Sequence, residues 1–200
     1  MNATDSPACV ILSGGASRRM GRPKALLDAG EGRSFLERIV DAYREAGVRR
    51  IVLVLNGGLL GGRAEDIAHA RGLLVVPIHA PPQGKWRSLR AGMSALPDAP
   101  YCYLQPVDQP AVDAPLLRRL RAAVPADGHA VPVHAGRGGH PILLAPPIVR
   151  QLAGLHREVH LRELLRAHPR IEVDVTEPDL LRDINTPEEY AAFRATATAP

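Results

Sequence analysis

Short apolar runs alternate along this chain with stretches in which apolar residues recur every three or four positions, a strand-then-helix rhythm. Ala8–Ser13 is such a run and predicts the first strand. Ser34-Phe35-Leu36-Glu37 has capping-box spacing, because the serine hydroxyl and the glutamate carboxylate can each accept from the other's backbone N–H. It opens a helix with apolar positions Phe35, Leu36, Ile39, Val40 and Tyr43, closed by Gly47. Ile51–Leu55 is continuously apolar, hence a buried parallel strand. Asn56-Gly57-Gly58 turns the chain into a short helix that reaches about Ala70 and stops at Gly72. A third strand follows at Leu73–Ile78, then a loop over Pro81–Arg87 and a helix from about Ser88 to Leu96. Tyr101–Gln105 is the fourth strand, and a helix spans Pro115 to Ala123. His129–His134 and Pro141–Leu144 read as strands flanking the loop Ala135–His140, and two short helices lead to a last strand, Ile171–Val175. Thr186-Pro187-Glu188-Glu189 supplies an N-cap, a proline at the first helical position and a glutamate three residues on, so a final helix starts there. The small, polar end Ala195–Pro200 reads as a disordered tail. Such alternation predicts an α/β sheet covered by helices on both faces. No repeat or long linker divides the chain, so residues 1–200 read as one domain, ordered over about 8–193.

Composition narrows the classes of partner. The formal net charge of +4 suits an anionic partner, either nucleic acid or a phosphorylated small molecule. Aromatic residues make up only 4% of the chain and do not interleave with basic ones, which argues against a stacking platform for nucleic acid. Arg118, Arg119 and Arg121 read instead as a solvated helix face. No apolar run reaches the ~18 residues of a membrane span, and Met1–Pro7 lacks the basic-then-apolar pattern of a secretory leader. The expected location is the cytoplasm. Cys9 and Cys102 fall in predicted strands with no metal or redox spacing and read as buried thiols.

The first candidate for chemistry is the turn after the first strand, Ser13-Gly14-Gly15-Ala16-Ser17-Arg18-Arg19-Met20-Gly21-Arg22-Pro23-Lys24. Glycines let backbone amides approach phosphate oxygens, and Arg18, Arg19, Arg22 and Lys24 can neutralise a polyphosphate. The pattern is neither a Walker loop, with no glycine directly followed by Lys and Ser/Thr, nor the dinucleotide Gly-x-Gly-x-x-Gly fingerprint. The competing interpretation is a plain basic surface loop. In open α/β sheets ligands bind beyond the carboxyl ends of the strands. Three predicted loops converge there: the glycine-rich turn, Pro81–Arg87, and the loop of Asp108 between Pro106 and Pro110. A carboxylate at a strand tip can hold Mg²⁺ or cap the next helix through an Asx-turn, and the residues alone leave both open. Ser88 can likewise cap a helix or bond a ligand. Trp86 can flank the site or be buried, and His140, before a proline, reads as a turn residue. His156 and His160 are four apart, but the glutamate of a zinc-protease motif is displaced by one position, so zinc is rejected.

The segment Leu12-x-x-Gly15-x-Ser17-x-Arg19-Met20-Gly21-x-x-Lys24 resembles the opening signature of the MobA-like nucleotidyltransferases, which include the molybdenum cofactor cytidylyltransferases and guanylyltransferases. Later segments resemble it in order: Gly84-x-x-x-Ser88-Leu89-x-x-Gly92, Val107-Asp108-Gln109-Pro110, Gly139-His140-Pro141 and Asp183-Ile184-Asn185-Thr186-Pro187. The resemblance implies a three-layer α/β/α sandwich with a Rossmann-like, mostly parallel sheet of the nucleotide-diphospho-sugar transferase type. It implies nucleotide contacts from Leu12, Ser13, Gly14, Gly15, Lys24, Gly84 and Ser88, Mg²⁺ on Asp108 with Asp183, and catalytic roles for Lys24 and Arg19. The chain departs from the cytidylyltransferase pattern at Ser13-Gly14, Val107 and Asn185. Gln109 and the Gly-His-Pro segment lean towards CTP, whereas Ser13-Gly14 and Asn185 lean towards GTP.

The expected reaction is therefore Mg²⁺-dependent transfer of a nucleoside monophosphate, from CTP in preference to GTP, to the terminal phosphate of molybdopterin, with release of pyrophosphate. A molybdoenzyme is a further expected partner; nucleic acid and membrane are not. Two rival expectations are transfer to a sugar or polyol phosphate, and a non-catalytic molybdenum cofactor chaperone. Retention of Lys24, Arg19 and Asp108 together disfavours the chaperone, because mere binding has no need of a metal carboxylate.

Overall fold

The computed structural model describes residues 6–197 apart from 16, 18, 80–83, 97, 99 and 100. Its centre is an eight-stranded sheet. The strands are β1 (Ala8–Ser13), β2 (Arg50–Asn56), β3 (Leu74–Ile78), β4 (Cys102–Pro106), β5 (His129–His134), β6 (Arg137–Gly138), β7 (Ile142–Leu144) and β8 (Arg170–Asp174). They lie in the order β3-β2-β1-β4-β7-β5-β6, with β8 paired to β5. Pairings β1–β2, β2–β3, β1–β4 and β5–β8 are parallel, whereas β7 runs antiparallel to β4 and β5. Reversing β7 between two antiparallel neighbours leaves β4, β5 and β8 pointing the same way as β1, so their carboxyl ends share one rim.

Among the described residues seven α-helices accompany the sheet: α1 (Phe35–Glu45), α2 (Arg63–Ala70), α3 (Gly84–Ser94), α4 (Ala114–Ala123), α5 (Pro146–Gly154), α6 (Leu161–Leu165) and α7 (Pro187–Ala197). Alternate residues of β1 feed opposite layers. Cys9 and Ile11 join the core under α1, α2 and α4, while Ala8 and Val10 join the core under α3, α5 and α6. This is the expected three-layer α/β/α sandwich. The capping box of α1 forms as expected: Ser34 Oγ accepts from Glu37 N–H, and the Glu37 carboxylate accepts from Ser34 N–H at 2.9 Å. Cys9 and Cys102 are free and fully buried, and burial pushes both thiols up, Cys102 to about 12.

Three expectations need correction. Helix α3 begins at Gly84, so Ser88 lies one turn inside it and does not cap it, and Trp86 is a buried helical residue packed in the core, not a loop aromatic. Residues 81–83 of the expected loop lie outside the described residues. The loop Ala135–His140 contains a two-residue strand, β6, pairing back onto β5. Residues 195–197, expected in a disordered tail, complete α7.

Helix α3 rides unusually close to the sheet because of Gly92. A Cβ there would lie 2.4 Å from Val10 Cγ1 and 2.9 Å from Val54 Cγ2, well inside contact distance. That close approach sets the height of α3 over β1 and β2 and brings its first turns beside the glycine-rich loop.

Candidate active site

The site is assembled at the carboxyl rim from four segments. The loop after β1 is fixed first. Ser17 adopts a left-handed conformation (φ 47°), and its carbonyl accepts from Met20 and Gly21 N–H at 3.0 and 3.1 Å. The chain then enters a short 3-10 turn, Lys24–Leu26, anchored by buried Ala25 and Leu27. The Ser17 hydroxyl accepts from Lys24 N–H at 3.4 Å. Arg22 lies 5.2 Å over the Tyr190 ring, tying the loop to α7. Arg18 falls outside the described residues.

The Lys24 ammonium is the hub. Nζ donates to Asp108 Oδ2 at 3.0 Å and to Asn185 Oδ1 at 2.7 Å, and Arg19 Nη2 reaches the same amide oxygen at 3.4 Å. The Lys24 side chain is 13% exposed and that of Asp108 26%. The pair is therefore partly shielded yet open on one side to a ligand. Residues separated by more than eighty positions meet because β4 pairs beside β1. Val107 N–H donates to the Leu12 carbonyl at 3.1 Å, placing Asp108 next to the end of β1. Ile184 N–H then donates to the Asp108 carbonyl at 2.9 Å and docks the third segment. Asn185 is held from the helix side, where the Glu189 carboxylate accepts from both Asn185 and Thr186 N–H while Thr186 Oγ1 accepts from Glu189 N–H. The N-terminal cap of α7 thus positions the amide that orients Lys24.

Asp183 is brought to the same corner, but Gln109 holds it: Gln109 Nε2 donates to Asp183 Oδ1 at 2.8 Å and to the Leu181 carbonyl at 3.4 Å. The other end of that amide, Oε1, accepts from His140 N–H at 3.2 Å, and Gln109 is 4% exposed. Gln109 is consequently a clamp joining the β4 loop, the β6–β7 loop and the C-terminal segment. Its amide faces inward and is bonded at both ends within the protein.

Between the glycine-rich loop and the turn after β2 lies a cleft of about 320 Å³, lined by Gly15, Ser17, Arg22, Asn56, Gly58 and neighbours. A Cβ on Gly15 would meet nothing within 4 Å, so its backbone is open to a ligand. Gly14 is different: a Cβ there would sit 2.5 Å from Ser88 Oγ, which would have to rotate away, so the loop lies close against α3. Leu12 and Ser13 are the last residues of β1 and lead into the loop, with Ser13 6% exposed; Gly84 opens α3. Asn56 was read from sequence only as a turn residue. Its Nδ2 donates to the Gly14 carbonyl at 3.1 Å and its Oδ1 accepts from Gly58 N–H at 2.9 Å, so it ties the two walls of the cleft together. An asparagine ending an apolar strand before two glycines was the available signal.

The groups that accept from Lys24 are oxygens, of Asp108 and Asn185, and the Asp183 carboxylate is held by Gln109 at the same corner; oxygen donors suit a hard divalent cation. Among the described residues no group of three or more His, Cys, Asp or Glu is close enough to hold a metal. A cation here would therefore need ligand oxygens from a bound polyphosphate and water, the usual situation for Mg²⁺.

Residues 9–172 match the profile of the MobA-like NTP transferase domain. The chain belongs to this family. It is a nucleotidyltransferase, and the expected resemblance and fold class hold. The molybdenum cofactor cytidylyltransferase of Escherichia coli K12 is 28% identical over 99% of this chain and 99% of its own length. The molybdenum cofactor guanylyltransferase of Rhizobium meliloti 1021 is 32% identical over 94% of this chain and 91% of its own. Among solved structures, Rv0371c of Mycobacterium tuberculosis H37Rv superposes with a TM-score of 0.78 at 30% identity, covering 96% of this chain and 98% of that one. A complex of Rv0371c with manganese superposes at 0.71 and 27% identity over 94% and 97%. Among the described residues no helix is long and apolar enough to cross a membrane.

Proposed function

We propose that this chain transfers a nucleoside monophosphate from CTP to the terminal phosphate of molybdopterin, releasing pyrophosphate. The observation that carries the reading is the Lys24 ammonium, shared between Asp108 and Asn185 at the end of a loop whose glycines line a cleft. An acceptor phosphate is already an anion, so an oxygen of it can attack the α-phosphorus without a protein base. The new P–O bond forms as the bond to pyrophosphate breaks. What remains for the protein is positioning and charge neutralisation. Backbone groups of Gly14 and Gly15 cradle the triphosphate, with Leu12, Ser13, Gly84 and Ser88 forming the neighbouring wall. Lys24 turns from Asp108 towards the α-phosphate, and Arg19 meets charge accumulating on the departing pyrophosphate. Asp108 and Asp183 are the carboxylates that would hold a magnesium ion, which would supply positive charge against the triphosphate when bound.

The choice of CTP is supported by the Gly139-His140-Pro141 segment and by near full-length similarity to a cytidylyltransferase, set against a comparable similarity to a guanylyltransferase; with Gln109 facing inward, base selection falls to the groups around the cleft. Incubating the protein with Mg²⁺, molybdenum cofactor and each of the four nucleoside triphosphates, and measuring pyrophosphate, tests the reading. Pyrophosphate release that depends on both CTP and acceptor is expected. Release without acceptor, or none with any nucleotide, overturns it.

A further inference from the structure

A second, larger cleft of about 550 Å³ opens where α3 passes the end of β3 and the end of α5. Four basic side chains line it: His79 just beyond β3, Arg87 and Arg90 on α3, and His156 after α5. Ser94 adds a hydroxyl, and Pro77 and Leu155 supply apolar wall. Among the described residues no carboxylate lines this cleft. Among the described residues neither Arg87 nor Arg90 forms an ion pair, whereas ten other ion pairs hold basic side chains elsewhere. Arginines grouped around a concave space without counter-charge raise the local positive potential and draw anions into it. Guanidinium forks, moreover, match phosphate geometry bidentately. The volume lies within the range of small-molecule sites.

The cleft is built into the fold through two close approaches at glycines, Gly92 on α3 and Gly57 after β2. Gly92 seats α3 on β1 and β2, which turns Arg87, Arg90 and Ser94 outward while Trp86, Leu89 and Met93 face the core. His79 is packed against the turn after β2, where a Cβ on Gly57 would lie 2.5 Å from its Nδ1. His156 comes from the segment after α5. It sits in the loop between α5 and α6, with His160 at the start of α6, so the two histidines do not share a helix face.

We propose that this cleft is a second anion site that takes a phosphate-bearing small molecule, apart from the Lys24–Asp108 site. The phosphate has two possible sources, the acceptor of the reaction or a free effector, and one set of experiments separates them. The probe is inorganic pyrophosphate without metal, titrated calorimetrically into the full chain at low salt. Two sites per chain are expected. Arg87→Gln with Arg90→Gln weakens one of them tenfold or more and leaves the other unchanged, while Lys24→Ala does the reverse. These arginines project from the surface of α3, so the double variant should keep the wild-type melting temperature. Loss of pyrophosphate binding with an intact melting curve then reports the site itself. In turnover assays, a raised KM for the acceptor alone in the double variant assigns the cleft to the acceptor. Unchanged KM values, with loss of inhibition or activation by added pyrophosphate, assign it to an effector. A single pyrophosphate per wild-type chain, or a second site of wild-type affinity in the double variant, overturns the proposal. Because the titration contains neither nucleotide nor acceptor, its failure leaves the transfer reaction untouched, and failure of the transfer reaction leaves it standing.

Discussion

At the scale of single residues the site turns on one ammonium and the two oxygens that hold it. Lys24 is 3.0 Å from Asp108 and 2.7 Å from Asn185 before any ligand arrives. If Lys24 acts mainly on charge developed in the transition state, Lys24→Ala lowers kcat more than it weakens CTP binding. The expected loss is roughly 10²–10³-fold, the range seen for other preorganised electrostatic contacts. Steady-state kinetics beside equilibrium nucleotide binding separates the two effects; a loss confined to binding makes Lys24 a ground-state anchor. Asp108→Ala removes a carboxylate that is part-exposed and outside both main cores, so the fold survives and Mg²⁺-dependent turnover disappears. A melting curve and an Mg²⁺ titration of activity check the two halves, and wild-type turnover at saturating Mg²⁺ would refute the metal assignment.

Helix α3 shows what close packing does at the scale of an element. In an exposed helix, replacing glycine with alanine stabilises by about 1 kcal/mol. At Gly92 the sign reverses. The new Cβ meets Val10 Cγ1 at 2.4 Å and Val54 Cγ2 at 2.9 Å, and valine side chains on a strand have few other rotamers to adopt. Gly92→Ala should cost about 1–3 kcal/mol, a fall in Tm of roughly 2–10 °C, read by thermal denaturation. Helix α1 offers a pH test. Hydrogen bonds from Ser34 backbone and hydroxyl hold the Glu37 carboxyl below its ordinary value, with a smaller contribution from Arg71. A carboxyl depressed by folding contributes stability that is full above its unfolded pKa and is lost as pH falls through the folded one. Glu37→Gln should therefore lower Tm at neutral pH, and the gap to wild type should narrow below about pH 4. Equal gaps at both ends of a Tm-against-pH series would show that the carboxylate charge is not what stabilises the cap.

For the molecule as a whole the open question is the base. Phosphates are common to all nucleoside triphosphates, so preference must come from groups that pair with one base edge and are left unpaired by another. Such discrimination is large. Competition between CTP and GTP for one acceptor measures it, and CTP turnover is expected to win. A GTP preference would place the base code in the Ser13-Gly14 end of the first loop. Gln109 is not the reader in either case, because both ends of its amide are bonded inside the protein.

The sequence by itself determined the elements and the loop chemistry. Periodicity located nearly every strand and helix, since burial on one or both faces is written directly in the spacing of apolar residues. The capping boxes at Ser34 and Thr186 were legible because caps join residues only three apart. Lys24, Arg19, Asp108 and Asp183 could be nominated from their places in motifs. Tertiary structure alone decided which of them meet. Sheet pairing of β4 with β1 set Asp108 beside the loop, and the docking of residues 183–185 on that strand end brought Asn185 to Lys24. The inward turn of Gln109 and the use of Asn56 to join two loops were likewise invisible in the sequence. A side-chain amide carries no mark of which way it points; partners tens of residues away, assembled by strand order, fix its direction.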